Sequence, residues 1–359
     1  MSHATGWLIG AVVVAGAIGA PAWWLTRSSD PAPESPPLPE MPDPQQPPKK
    51  TGFADDTVPA VADIKFDAER SLKYLKQLCD IGPRVSGTEG MKRQQELLEK
   101  HFKQFGATVT RQEFEAKQVS RKDKTRMTNL VVTWHPDRDK RVLICSHYDT
   151  RPVADEEADR RNWNRPFVSA NDGASGAAWM MEMAHHMKDL KTSYGVDFAL
   201  FDGEEYVFDT HQTNPSGRGE DRYFLGSEHF ADEYTKSRAT RKHQYHAGVL
   251  MDLCHAKGAR LRVEMNSWTA ARPLVEQIWG VAEAVGAKSF KLERGFERDG
   301  GQGVQDDHLA LIRAGIPSVD VIDFDYPHWH KLSDTPDKVS GEQMAEVAKV
   351  LMTWVQRIK

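Results

Sequence analysis

From about residue 61 onward the chain switches repeatedly between two hydrophobic rhythms. Short apolar, β-branched runs at Asn129–Trp134, Arg141–Ser146, Asp197–Phe201, Gly248–Leu253, Leu261–Glu264 and Ser318–Ile322 predict strands. Apolar residues three and four apart predict helices over Ala68–Leu78, Met91–Phe105, Ala174–Met187, Ala271–Val285 and Glu342–Ile358. In the last of these, Met344, Val347, Leu351, Trp354 and Ile358 share one face. Strands alternating with helices predict an α/β three-layer sandwich with a mostly parallel central mixed sheet. Ligand crevices in such sheets lie beyond the carboxyl ends of the strands, so the chemistry is sought there.

The N-terminal part has neither rhythm. Gly6–Leu25 is a run of about twenty residues without a charge, the length that one helix needs to cross a bilayer core. Trp7 near one end and Trp23-Trp24 near the other suit the two membrane interfaces. A cleaved signal peptide is the other reading, and the small residues around Ala15–Ala22 offer a cleavage site. The run is long for a signal core and no basic residue precedes it. Between Pro31 and Pro48 half the residues are proline, which favours an extended spacer over a packed core. The expected organisation is therefore a membrane anchor or signal segment at 1–27, a proline-rich stalk at 28–60 and a catalytic domain at 61–359. Only Arg27 and Asp30 flank the run closely, so charge hardly sets its orientation.

Composition narrows the function classes. Of 359 residues, 39% are hydrophobic and 28% charged, enough apolar surface for a sizeable core. A net charge of −5 supplies no basic footprint for nucleic acid. Cys79, Cys145 and Cys254 are too few and too scattered for a disulfide framework or a thiolate zinc site. Cys145 and Cys254 lie in strand-like runs and read as core thiols.

Acidic and histidine clusters gather where the predicted strands end. His147-Tyr148-Asp149 follows the second strand; residues two apart point to one side, so Asp149 is positioned to orient His147. Asn171-Asp172-Gly173-Ala174-Ser175-Gly176 opens a helix, where an aspartate is also an ordinary cap. Asp202-Gly203-Glu204-Glu205 follows a strand, and adjacent carboxylates there call for a compensating cation. One glutamate would ligate while its neighbour shuttles protons. Asp252 closes another strand, Asp306-Asp307-His308 follows the turn Gly300-Gly301-Gln302-Gly303, and Trp329-His330 follows the last strand. Each alone reads as a cap or polar loop. Their shared position argues for a divalent cation held by oxygen and imidazole, with catalytic zinc the leading candidate. HExxH, GxSxG and P-loop motifs are absent.

The order SHYDT, NDGASG, FDGEE, LMD, QDDH and WHKLSDTPD resembles the zinc aminopeptidase-like fold of peptidase family M28, and within it the glutaminyl-peptide cyclotransferases. The resemblance spans about residues 65–359 and includes CDIGPRVSGTEG, FLGSEHF and VQDDHLALIRAGIP. It implies that Asp172, Glu205 and His330 bind one zinc and that Glu204 is the acid/base. His147 and Asp252 match positions that bind a second zinc in the dinuclear aminopeptidases. The resemblance also implies that Asp306 hydrogen-bonds Asp252 in a cyclase, and that Trp329 walls the substrate pocket. The chain departs from the cyclases in two places. Tyr206-Val207-Phe208 leads into a polar stretch, Asp209–Asp221, where cyclases carry a tryptophan-bearing loop. Animal secreted cyclases also have a disulfide that reaches from the strand before the HYD motif, and Cys145 has no partner near Asp172 for it.

The activity implied is cyclisation of N-terminal glutamine to pyroglutamate with loss of ammonia, using one zinc. The alternative is a two-zinc aminopeptidase, and the remote one a non-catalytic peptide-binding ectodomain. The expected partners are peptide or protein N-termini and, through residues 6–25, a membrane, with the domain on the extracytoplasmic side.

Overall fold

The computed structural model describes residues 64–208 and 220–358. The expected anchor, the whole of the stalk at 28–60 and the domain boundary that follows it lie outside them. Among the described residues no helix is long and apolar enough to cross a membrane.

Among the described residues eight strands occur in chain order: β1 (Thr108–Ala116), β2 (Thr125–Trp134), β3 (Lys140–His147), β4 (Gly195–Phe201), β5 (Gln244–Asp252), β6 (Leu261–Val263), β7 (Phe290–Arg294) and β8 (Ser318–Ile322). Six form one sheet in the order β1-β2-β4-β3-β5-β8. β2 runs antiparallel to both β1 and β4, whereas β4, β3, β5 and β8 are mutually parallel. β6 and β7 form a separate two-stranded parallel pair. The α/β architecture with a mixed, mostly parallel sheet is thus the one the hydrophobic pattern predicts.

Strand parity divides the core. Val142, Ile144, Phe198, Leu200, Val249 and Met251 face α1 (Ala68–Cys79), α2 (Glu89–Gln104), α3 (Ser175–Met187), α5 (Met265–Ala284) and α7 (Gly341–Arg357). Their neighbours Leu143, Cys145, Ala199, Phe201 and Leu250 pack with α4 (Leu225–Lys236) and α6 (His308–Arg313). The central strands are buried on both faces, which explains their continuous apolar runs. Cys145 and Cys254 are fully buried thiols, and burial pushes both well above the usual thiol range.

The differences from expectation have local causes. β1 is an edge strand, so its sequence is largely polar and shows no apolar run. α4 buries Leu225, Phe230, Ala231 and Tyr234 but interleaves them with polar residues, and α6 is only six residues long. α5 starts at Met265 rather than Ala271 because Glu264 caps it; the helix kinks at Ala271, two residues before Pro273. α7 stops at Arg357, with Ile358 extended at its end.

Connections diverge at β3. The chain leaves it through α3 to reach β4 on one side, then passes through α4 to β5 on the other. A crevice opens at the carboxyl ends where neighbouring connections part. At the opposite end, Arg141 on β3 makes a bidentate pair with Asp197 on β4 at 2.8 and 2.6 Å. Its remaining N–H groups donate to the carbonyls of Trp134, His135, Arg138 and Val196, and the Tyr245 hydroxyl donates to Asp197 at 2.6 Å. Both charges are buried and fully engaged. Asp197→Ala is expected to lower unfolding free energy by about 3–5 kcal/mol, as removal of one partner strands the other charge. Urea denaturation of the variant measures this.

Candidate active site

Several segments deliver acidic groups and imidazoles to the crevice, the loop after β8 with His330 among them. His147 is the last residue of β3, Glu204 and Glu205 follow β4, and Asp252 is the last residue of β5. Asp172 lies in the irregular turn Ala170–Ala174 before α3, with extended backbone at φ −85°, ψ 122°. Gly173 then turns at φ +71°, and a Cβ there would meet the Asp149 carbonyl oxygen at 2.2 Å. Only glycine lets the turn press this closely onto the end of β3.

Asp172 is the centre of the group. Its Oδ1 lies 3.0 Å from His147 Nε2, and its Oδ2 lies 3.9 Å from His330 Nε2. His147 Nε2 is 3.3 Å from Asp252 Oδ1, and His330 Nε2 is hydrogen-bonded to Glu205 Oε1. The residues assigned to the two expected zinc positions therefore converge on opposite sides of one carboxylate. His147, Asp172 and Glu205 each offer a ligand atom, and these lie within 4.8 Å of one another. Asp172 Oδ2, Glu205 Oε2 and Asp252 Oδ1 are buried and accept no hydrogen bond. Acceptors buried without donors are costly, and a divalent cation with oxygen and imidazole ligands fits them.

A second layer of hydrogen bonds holds these groups. Asp155 faces His330 Nδ1 at 3.3 Å and accepts two hydrogen bonds from buried Arg151, at 2.8 and 2.6 Å. Burial alone would raise the Asp155 carboxyl, but His330 and Arg151 outweigh it and hold it well below the usual range. His330 itself adopts φ +52°, a left-handed backbone that costs a non-glycine residue about 1–3 kcal/mol and persists only where neighbours enforce it. Asp334 accepts from the N–H groups of Asn171 and Asp172 and from the Tyr326 hydroxyl. Burial, with the Asp172 charge beside it, pushes Asp334 up to about 7.

Asp149 differs from its expected part. It lies 3.6 Å from His147 Nδ1, beyond hydrogen-bond length, because its two oxygens are taken by the N–H groups of Glu204 and Glu205, both at 3.1 Å. It thus orients the two glutamates rather than the imidazole. Asp202 is likewise occupied, by Ser86 and the Thr128 N–H. The early segment around Arg84 reaches the same loops, since Arg84 donates to Ser169 O and its N–H to Thr150.

Burial pushes the Glu204 carboxyl well up; His147 opposes the shift, and Glu205, Asp306 and Asp307 reinforce it. Asp306 is also raised, by burial and then by the like charges of Asp252 and Asp307. Behind Asp306 lie Asp320, His308 and Glu264, all buried: His308 Nδ1 is 3.8 Å from Asp320 and its Nε2 3.2 Å from Glu264. The pattern reading missed Asp155, Asp320 and Glu264. Asp334 stood unremarked within the SDTPD segment. Trp329 is half-buried and stacks on His330 at 3.8 Å between ring centroids. After Glu205, the Tyr206–Phe208 segment is held by the β1–β2 connection: Gln118 donates to Tyr206 O and Arg222 O, and Arg121 lies 3.2 Å over the Phe208 ring.

Residues 129–355 match the model of peptidase family M28. The chain is 56% identical to Fimbriiglobus ruber glutaminyl cyclase, whose crystal structure superposes with a TM-score of 0.79 over 84% of this chain and 99% of that one. A leucine aminopeptidase precursor from Bacteroides thetaiotaomicron VPI-5482 gives a TM-score of 0.73 at 27% identity, over 84% of this chain and all of that one. Bovine glutaminyl-peptide cyclotransferase is 25% identical over 64% of this chain; the match spans 65% of the bovine protein's length. The chain belongs to peptidase family M28.

Glu264 yields a pH-dependent expectation. Burial alone would raise its carboxyl, but His308 and donors from Asn266 and Ser267 bring it down to about 2. A depressed carboxyl stabilises the fold above its unfolded value near 4.5, and that contribution fades as pH falls toward about 2. Glu264→Gln is expected to be less stable than the parent at pH 7, with the difference shrinking below about pH 4.5. Urea denaturation of both proteins at pH 7 and pH 3 measures it.

Proposed function

We propose that the chain is a zinc-dependent glutaminyl-peptide cyclotransferase, converting the N-terminal glutamine of peptides to pyroglutamate and releasing ammonia. The observation that carries this reading is the 56% identity to Fimbriiglobus ruber glutaminyl cyclase across 99% of that chain. The buried acids behind Glu204 support it.

Asp172, Glu205 and His330 would hold one zinc, with Asp155 keeping the outer nitrogen of His330 engaged. Zinc bound there would supply a Lewis acid for the γ-carboxamide carbonyl. Glu204 is the proton carrier: it takes a proton from the substrate α-amine as that nitrogen bonds the carbonyl carbon (Cδ) of the γ-carboxamide. It then gives the proton to the carboxamide nitrogen, which departs as ammonia. Its raised affinity for a proton suits a group that must both accept and return one. The like charge of Asp252 raises the affinity of Asp306 for a proton, and a protonated Asp306 would be a donor to the carbonyl oxygen. Trp329 would pack against the substrate side chain. Asp149 keeps both glutamates aimed through their backbone N–H groups.

The aminopeptidase reading is favoured by one observation, the approach of His147 to Asp172 and Asp252 on the other side of the shared carboxylate. A second zinc there would ready a water for attack on the first peptide bond.

Tethering through residues 6–25 on the 28–60 stalk, with the domain at 61–359 outside the cytoplasm, is part of the proposal. It rests on the uncharged run and the proline density. Protease digestion of the domain on intact cells is the expected result; a domain shielded inside would overturn it.

Mass spectrometry of a glutamine-started peptide incubated with the zinc-loaded protein is expected to show loss of one ammonia and an otherwise intact chain. Glu204→Gln should lower the rate by about 10²–10⁴-fold while retaining zinc. Removal of the first residue instead, with two zincs per chain by metal analysis, would establish the aminopeptidase.

A further inference from the structure

We propose that Arg298 is a positioning residue of the active site, holding Trp329, and through it His330, in place. The proposal rests on the reading of Trp329 as pocket wall and His330 as zinc ligand.

Arg298 belongs to the glycine-rich turn that precedes Asp306, a stretch that on sequence alone is only a connection. The turn is pinned to the loop after β8, because the N–H groups of Glu297 and Arg298 donate to Asp325 at 3.0 and 3.1 Å. The Arg298 guanidinium then reaches along that loop. Its Nε donates to Phe324 O at 2.8 Å and its terminal nitrogen to Tyr326 O at 3.3 Å. These bonds fix the guanidinium 4.7 Å from the centre of the Trp329 ring. Phe324 meets the same indole edge-on at 5.3 Å, and His330 stacks on it at 3.8 Å. Trp329 is therefore clasped by a cation, a phenyl ring and the imidazole of the expected ligand.

The arrangement closes on itself. The Glu156 carboxylate lies 3.8 Å from Arg298, the Glu156 N–H donates to His330 O at 3.4 Å, and Asp155 faces His330 Nδ1. Arg298 thus reaches both sides of a residue whose left-handed backbone needs enforcement. A guanidinium can donate to two carbonyls while presenting a flat face to an indole; a lysine ammonium cannot do both. The side chain is 27% exposed and has no part in the buried core, so its partners rather than burial account for its placement.

The test is a double-mutant cycle of Arg298→Ala and Trp329→Leu with two readouts. These are kcat and KM on a glutamine-started peptide, and the zinc dissociation constant measured by chelator competition on metal-stripped protein. Arg298→Ala is expected to raise KM about tenfold with kcat changed less than about threefold, consistent with loss of a partly desolvated cation–π contact. It should weaken zinc several-fold, up to about tenfold, as loss of an outer-shell partner does. Its effects should nearly vanish when Trp329 is already leucine, because residues acting through one contact are not additive. Arg298→Lys should shift both readouts in the same direction by less, and it serves if the alanine variant folds poorly. Unchanged KM and zinc affinity, or effects that add fully to those of Trp329→Leu, would overturn the proposal. A lowered melting temperature with both readouts unmoved would do the same, marking an arginine of structural use alone. If glutamine peptides are not turned over at all, the cyclase reading fails, while the zinc measurement still decides the role of Arg298.

Discussion

Burying several carboxylates in one crevice is the constraint on which this structure depends. Asp172, Glu204, Glu205 and Asp306 are nearly inaccessible, and Asp252 sits at their edge. Such a group is stable only if each oxygen finds a donor, a proton or a cation. The surroundings divide into those three solutions. Asp149, Asp155 and Asp334 spend their oxygens on fixed N–H and O–H donors and on Arg151, and so become rigid supports. Glu204 and Asp306 have fewer donors, and burial beside like charges raises their affinity for a proton. Asp172 and Glu205 each retain a bare oxygen, Oδ2 and Oε2, beside the contacts of their other oxygens with His147 and His330, and a divalent cation would satisfy both.

The sheet topology makes this concentration of charge possible. Because the connections part at β3, the loops from β3, β4 and β5 open away from one another and leave room beyond the strand ends. Glycine at 173 lets the turn carrying Asp172 close onto that space without steric conflict. Chemistry and architecture therefore share one cause: the same strand ends that end the apolar runs begin the acidic motifs.

This coincidence explains what could be read from the sequence. The inner strands announce themselves because both faces are covered, and the motifs at their ends stand out as charge directly after apolar residues. β1, with an open edge, and α6, with six residues, carry too little buried surface to leave a pattern. Within the site, Asp172, Glu205 and His330 were visible as clustered ligand types. Asp155 and Glu264 were not, since their importance comes from partners far along the chain: His330 for one, His308 and the start of α5 for the other. Asp149 shows the limit of local spacing. Its two-residue offset from His147 suggests an imidazole partner, but the backbone N–H groups of a distant turn bind it first.

The pairing of Glu205 with His330 joins residues 125 positions apart. A site whose halves are so widely separated cannot exist in a partly folded chain, because neither half presents a preformed ligand set. An ion captured there would select the fully closed topology over looser alternatives and slow its opening. The metal would then act as a fastener on the finished fold as well as a reagent, coupling protein lifetime to metal supply.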